Sequence, residues 1–275
     1  RQVAGRPVLE PYGNRHRQRH FPSVQGITRD MEHAMKTNQL YHGDCLRFLA
    51  TLEDESVDAL ITDPPYSSGG LHSGARKRDP SQKYIGSNLH AEFAGDNRDQ
   101  RSHLHWSVMW LSEAFRVLKP GAPVCLFSDW RQLPLTTDAL QAAGYIWRGI
   151  AVWDKTEGVR PQLGRFRAQA EYIVWGSKGA MPLDRPAPTL PGVIREPVRK
   201  ADKFHMTGKP TDLMRQVVKI CGRDGVILDP FAGSGTTLVA AAMEGYGWQG
   251  SEMLEHNCEI TRQRLAALSA QRAVA

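Results

Sequence analysis

Asp63-Pro64-Pro65-Tyr66 is the stretch of this 275-residue chain best equipped for chemistry. It follows Val57-Asp58-Ala59-Leu60-Ile61-Thr62 and precedes a long polar segment. An apolar run ending in an acid and two prolines predicts a buried parallel strand that stops at a sheet edge. Proline has no N–H, so Pro64 and Pro65 cannot extend the ladder, and the carbonyls ahead of them remain acceptors. The turn therefore offers one carboxylate, carbonyl oxygens and an aromatic face. That set suits an exocyclic amino group on a flat ring, which brings two N–H donors and a surface for stacking.

A second stretch has the chemistry of a ligand cradle. Gly225-Val226-Ile227-Leu228-Asp229 reads as a strand, Pro230-Phe231-Ala232-Gly233-Ser234-Gly235 as a tight turn, and Thr236-Thr237 as the start of a helix. Glycines let backbone approach a ligand closely, and a helix start presents N–H groups to it. The spacing is not G-x-G-x-x-G, and no Gly-Lys-Ser/Thr follows to hold a triphosphate. Glu252 ends the next predicted strand, where a carboxylate can accept from both hydroxyls of a ribose. Two shorter segments accompany these. His205-Met206-Thr207-Gly208-Lys209-Pro210 leads into a helix, and Gly43-Asp44-Cys45 opens one, with Asp44 as its N-cap.

Taken together, these segments resemble the amino-directed DNA methyltransferases, whose motifs read Asp/Asn/Ser-Pro-Pro-aromatic and Phe-x-Gly-x-Gly. The resemblance runs from about residue 39 to 268. It implies an α/β, Rossmann-like fold with a mostly parallel, doubly wound sheet, and S-adenosyl-L-methionine as cofactor. It also implies catalytic roles for Asp63, Pro64, Pro65 and Tyr66. Cofactor contacts are implied for Asp44, Cys45, His205, Thr207, Lys209, Asp229, Phe231, Ala232, Gly233, Ser234, Gly235, Thr236, Thr237 and Glu252. The catalytic motif precedes the cofactor motif, which is the permuted order of the beta group. Asp at position 63 favours adenine N6 over cytosine N4, where Ser is the commoner residue. A protein-glutamine methyltransferase and a silent DNA binder are the remaining alternatives; the first usually carries Asn at that position. In such enzymes the target base is flipped out, Tyr66 stacks on it, and Asp63 with a carbonyl near Pro64 accepts from its amino group. No Pro-Cys nucleophile for ring-carbon methylation is present.

The elements that must position these groups follow in order. Strand Leu40–His42, a helix carrying Phe48 and Leu49, the strand ending at Asp63, a helix over Trp106–Val117 and strand Pro123–Ser128 come first. A helix over Leu135–Ala143 follows. Strands Tyr145–Trp153 and Glu171–Trp175 then flank a Gly/Arg-rich loop with Arg160, Arg165 and Arg167. A helix from Pro210, the glycine-turn strand, strand Trp248–Glu252 and helix Leu254–Leu268 complete the alternation. Residues 67–104 read as a DNA-contacting insertion with Arg76, Lys77, Arg78, Arg98 and Arg101. Residues 179–204 read as a surface connector with Arg195 and Arg199 as further DNA contacts. A large recognition domain, common in the beta group, is missing from that place.

Composition sets the broad limits. A net charge of +6 and a pI near 9.2 favour a polyanionic partner, here double-stranded DNA. No apolar run approaches a membrane span. Cys45, Cys125, Cys221 and Cys258 are far apart, which predicts reduced thiols in a cytoplasmic protein and no metal site. Residues 1–34 read as a basic extension ahead of a methyltransferase domain at 35–275. A homodimer and a cognate restriction enzyme are expectations from the resemblance alone.

Overall fold

The computed structural model describes residues 37–67, 98–198 and 208–274. The expectations for residues 1–34 and for Arg76, Lys77, Arg78, Arg199, His205 and Thr207 lie outside the described residues. The described chain runs β1 (Gln39–His42), α1 (Cys45–Thr51), β2 (Ala59–Thr62), α2 (Gln100–Val117), β3 (Pro123–Ser128) and α3 (Leu133–Ala142). It continues through β4 (Ile146–Asp154), β5 (Ala170–Ser177), β6 (Val193–Arg195), α4 (Thr211–Val217), β7 (Val226–Asp229), α5 (Thr236–Met243), β8 (Gly247–Glu252) and α6 (Glu255–Val274). The strands form one sheet in the order β1-β8-β7-β2-β3-β5-β4-β6. Neighbours are parallel except where β5 runs against β3 and β4.

Side chains alternate across the sheet with the two-residue period of a strand, and both faces are covered. Leu60, Val124, Leu126, Val226 and Leu228 pack on one side against Phe48 and Leu49 of α1, Trp110 and Leu111 of α2, and Leu140 of α3. Ala59, Ile61, Cys125, Phe127 and Ile227 point the other way, onto Leu213 and Met214 of α4 and Leu238 and Ala241 of α5. This double covering explains why the central strands read as unbroken apolar runs.

The order has one topological switch. From β7 the chain crosses to β8 on one side, and from β2 it crosses to β3 on the other, while β2 and β7 pair directly. A crevice opens at the C-terminal ends of such a pair, because the outgoing loops diverge there. Asp63 and the glycine turn both leave the sheet at this crevice.

Two boundaries differ from the sequence reading. Helix α2 begins at Gln100, well ahead of Trp106, so the polar insertion is shorter than 67–104 and Arg101 lies in a first helical turn. Asp99 explains the start: its Oδ1 accepts from the N–H groups of Arg101 and Ser102, at 3.0 Å each. Within the supposed connector, β6 extends the sheet edge by pairing parallel with β4 and burying Ile194. Three residues are too few for periodicity to register. No described helix is long and apolar enough to cross a membrane, and all four cysteines are buried and unbridged.

Gly235 holds φ at +79°, and a Cβ there would overlap the side chain of Thr261 on α6. Gly233 also has positive φ, +54°, but open space where a Cβ would stand. Gly235→Ala should therefore cost about 2–3 kcal/mol, strain plus overpacking, and lower the melting temperature by roughly 5 °C or more. Gly233→Ala should cost only the strain, about 1 kcal/mol. Thermal unfolding of the two variants without ligand checks this; equal losses would contradict the packing role of Gly235.

Candidate active site

A cleft of about 330 Å³ opens at the switch point. Its walls bring together segments far apart in sequence: Asp44 and Cys45 at the start of α1, Asp63 to Tyr66 after β2, and Lys209 before α4. Asp229 to Ser234 after β7, Thr236 and Thr237 of α5, and Glu252 at the end of β8 complete it. Among the described residues, every catalytic or cofactor-binding candidate from the sequence but one lines this cleft. Gly235 does not; its lack of a side chain serves the contact with Thr261 instead.

Behind the Asp63 turn sits a buried cluster of charges. Lys209, only 7% exposed, places Nζ 2.5 Å from Asp63 Oδ2 and 2.8 Å from Glu171 Oε1. The Tyr66 hydroxyl lies 2.6 Å from Asp63 Oδ1 and 2.8 Å from Glu171 Oε1. Lys155 closes the cluster at 2.6 Å from Glu171 Oε2. The charges shape one another's titration. Burial opposes ionisation of Glu171, yet the charges of Lys209 and Lys155 outweigh it and bring its carboxyl down to about 2. Burial pushes Asp63 upward, Lys209 pulls against it, and the charge of Glu171 adds to the rise. Burial and the two carboxylates hold the Tyr66 phenol well above its ordinary range. For Lys209, the pull of Asp63 and Glu171 overcomes burial and raises its ammonium above its usual value. Lys209, expected at the cofactor, lines the cleft and gives its ammonium to Asp63 and Glu171.

The glycine turn is braced from beneath. Asp229 is buried, and its Oδ1 accepts from the Thr62 hydroxyl at 2.6 Å and from the Phe231 N–H at 3.1 Å. This ties the end of β2 to the turn after β7. Burial raises the Asp229 carboxyl to about 6, against the bonds from Thr237, Thr62 and Phe231. Glu252 pins the same turn: Oε2 accepts from Gly233 N–H at 3.0 Å, and Oε1 accepts from Leu254 N–H at 2.9 Å and Asn257 Nδ2 at 3.3 Å. Arg264 of α6 donates to the Ser234 carbonyl at 2.6 Å and to the Thr236 hydroxyl at 3.1 Å.

Across the cleft, Asp44 caps α1 as expected, its Oδ1 accepting from Leu46 and Arg47 N–H groups at 3.0 and 3.2 Å. Cys45 is buried, and its thiol is pushed up to about 12 by that burial and by Asp44, so it offers a surface and not a nucleophile. The Phe231 ring stands 5.4 Å from that of Trp106. Arg98, expected to contact DNA, lies over Trp106, 4.2 Å from its centroid, and lines this cleft. Arg195 is 60% exposed but ion-paired, to Glu157 at 2.5 Å and to Asp154 at 3.7 Å. Glu171, Lys155, Trp106 and Arg264 went unread. A glutamate directly ahead of the apolar run Tyr172-Ile173-Val174-Trp175 is the available signal for Glu171.

The buried Asp229 makes a pH prediction. A carboxyl whose folded value is raised favours the fold at low pH, and that contribution is lost as pH rises from about 4 through about 6. Asp229→Asn keeps an acceptor oxygen without the charge. Its stability relative to the parent should climb across pH 4–6, by roughly 2–3 kcal/mol, and then level off. Urea unfolding over that range measures it; a flat difference would contradict a carboxyl raised to about 6.

Comparison with known proteins fits this geometry. The N6/N4 methyltransferase profile, described as DNA methylase, matches residues 57–263. YubD of Escherichia coli (strain K12), itself named as a candidate methylase, is 32% identical over 232 residues, 84% of this chain and 91% of that one. The M1.HpyAVI–SAM complex superposes with a TM-score of 0.61 at 20% identity, covering 82% of this chain and 98% of that one. The cytosine-N4-specific PvuII DNA methyltransferase does so at 0.63 and 16%, covering 83% and 86%. The fold is that of the S-adenosylmethionine-dependent methyltransferases, and the chain belongs to the N6/N4 family of DNA methylases.

Proposed function

We propose that this DNA methyltransferase modifies the N6 amino group of an adenine flipped out of the duplex, with Asp63 as the acceptor that engages that group. The observation carrying the proposal is the position of Asp63. Its carboxylate is 26% exposed, lines the same cleft as the glycine turn, and is backed by Lys209, Tyr66 and Glu171. The motif order supports the permuted, beta-group assignment: the Asp63 strand comes early in the chain and the glycine-turn strand late, yet the two pair side by side.

S-adenosylmethionine is the cofactor, and the residues fit it. Gly233 leaves open space where a Cβ would intrude, and Phe231 and Trp106 supply an aromatic wall. Asp44 and Glu252 supply carboxylates beside them. Glu252 already accepts three hydrogen bonds, which leaves capacity for a further hydroxyl donor. When bound, the cofactor supplies an electrophilic sulfonium methyl group.

The chain's own groups do the rest. An aromatic amine is a poor nucleophile because its lone pair is delocalised into the ring. Hydrogen bonds from its N–H groups to Asp63 and to a carbonyl of the Pro64-Pro65 turn favour a tetrahedral nitrogen with a localised lone pair. The Lys209 ammonium opposes the rise that burial imposes on the Asp63 carboxyl and so favours its acceptor form. Glu171 restrains Lys209 and the Tyr66 hydroxyl, leaving the Tyr66 ring to face the base. As the amine is alkylated its proton becomes acidic, and Asp63 is placed to receive it. A second reading, cytosine N4, is favoured by the likeness to the cytosine-N4-specific structure.

Incubation with unmethylated DNA and S-adenosylmethionine, followed by digestion to nucleosides and mass spectrometry, decides between them. N6-methyladenine is expected; N4-methylcytosine would overturn the base assignment. Asp63→Ala should cut turnover by at least about 10³-fold while cofactor affinity, measured by calorimetry, holds. Glu171→Gln should lower turnover and move the acid limb of the pH–rate profile to lower pH, since the charge that raises Asp63 is gone. An unmoved limb would leave Glu171 a purely structural role.

A further inference from the structure

The loop between β4 and β5 carries side chains that neither the cofactor cleft nor the core uses. Because β4 is parallel, through β5, to β3 and β2, its C-terminal end opens on the same sheet edge as Asp63. The loop's stem is firmly built. Lys155 N–H donates to the Gln169 carbonyl at 2.8 Å, Gln169 Nε2 donates to Asp154 Oδ1 at 3.0 Å, and Arg167 Nη1 donates to the carbonyls of Glu157 and Val159. Through Lys155 and Glu171 that stem joins the charge cluster at Asp63. The tip is another matter. Leu163 and Phe166 are fully exposed at 102% each, on either side of the turn at Gly164. Apolar side chains of this size gain stability from burial, so the fold forgoes a real gain by leaving them in water. Arg160 and Arg165 are exposed beside them, and no acidic residue occurs from Gly158 to Gln169. Between this loop and Asp63, at the end of β3, stands Trp130, 63% exposed with Arg131 over its ring.

We propose that the 160–167 loop is a duplex-opening element: Leu163 and Phe166 enter the base stack beside the target nucleotide while Arg160 and Arg165 hold the flanking phosphates. Apolar side chains on a cationic loop match a polyanion whose interior is a stack of flat rings. A stem tied to the Asp63 cluster sets the wedge at a fixed reach from the carboxylate that would receive the extruded base. The inference rests on the reading of the protein as a base-flipping enzyme.

Two measurements test it. The first uses the doubly substituted L163A/F166A protein and a duplex bearing the methylation site mapped on genomic DNA. The target is either fully paired or opposite an abasic position. On the paired duplex kcat/KM should fall about tenfold or more, and on the abasic one it should stay nearly unchanged, because unpairing is already done. Equal losses on both, or none on either, would overturn the wedge. The second measurement needs no catalysis. Arg160→Ala with Arg165→Ala should flatten the slope of log affinity against log salt by roughly two for a mixed-sequence duplex read by fluorescence anisotropy. An unchanged slope would overturn the phosphate contacts. Parent protein that methylates no DNA at all would instead sink the functional reading, and the salt slope would still report on the loop.

Discussion

One buried ammonium holds the candidate site together. Lys209 joins Asp63, at the end of β2, to Glu171, at the start of β5, and Lys155 at the end of β4 completes the balance. Two ammonium groups stand against two carboxyl groups, which offsets part of the cost of burying them. Removing one partner of such a set leaves an uncompensated buried charge, typically worth about 3–5 kcal/mol. The edge strands β4 and β5 are thereby tied to the sheet centre through charge as well as through their hydrogen bonds. The Asp63 turn depends on that tie, since Pro64 and Pro65 supply no N–H groups to anchor it.

A second link joins the two functional turns. The Thr62 hydroxyl on Asp229 couples the last residue of β2 to the turn after β7, so the candidate acceptor and the glycine turn cannot move apart independently. The arrangement places a side chain from one strand against the loop of its neighbour across the topological switch. Parallel pairing makes this possible, because only parallel neighbours bring both outgoing turns to one edge. Permuting the chain order leaves that edge unchanged, for it is fixed by which strands pair and not by which comes first.

Much of this was legible in the sequence because the informative segments are local. The apolar run into Asp63, the glycine turn after Asp229 and the acid ending β8 each carry their own signal, and the fold brings them to one cleft. What escaped was non-local or unpatterned. Glu171 sits on β5 and Lys155 just past the end of β4, and neither has a neighbour in sequence that marks its partner. Arg98 looked like one more positive charge in a basic stretch, yet it lies over Trp106 inside the cleft. Lys209 belonged to a recognisable segment, but its reach to Asp63 required the chain to return across the sheet. Strand β6 was too short, and the start of α2 too polar, for hydrophobic period to find either.

The cluster also works against the loss of charge that burial imposes on Asp63, through the Lys209 ammonium. Burial favours the protonated form of Asp63, and a protonated acid offers a donor where an acceptor is needed. A lone lysine would restore the charge but would also repel the positive charge that develops on an amino nitrogen as it is alkylated. Glu171 resolves this by sharing Lys209, so that the ammonium is divided between two carboxylates and its field at the substrate is offset. Lys155 in turn keeps Glu171 ionised from the far side, away from the cleft it does not line. The charges alternate outward from the cleft, negative, positive, negative, positive, and the negative end faces the position proposed for the amine. An Asp63 turn on a sheet edge without this backing would have the same sequence motif and a different proton inventory.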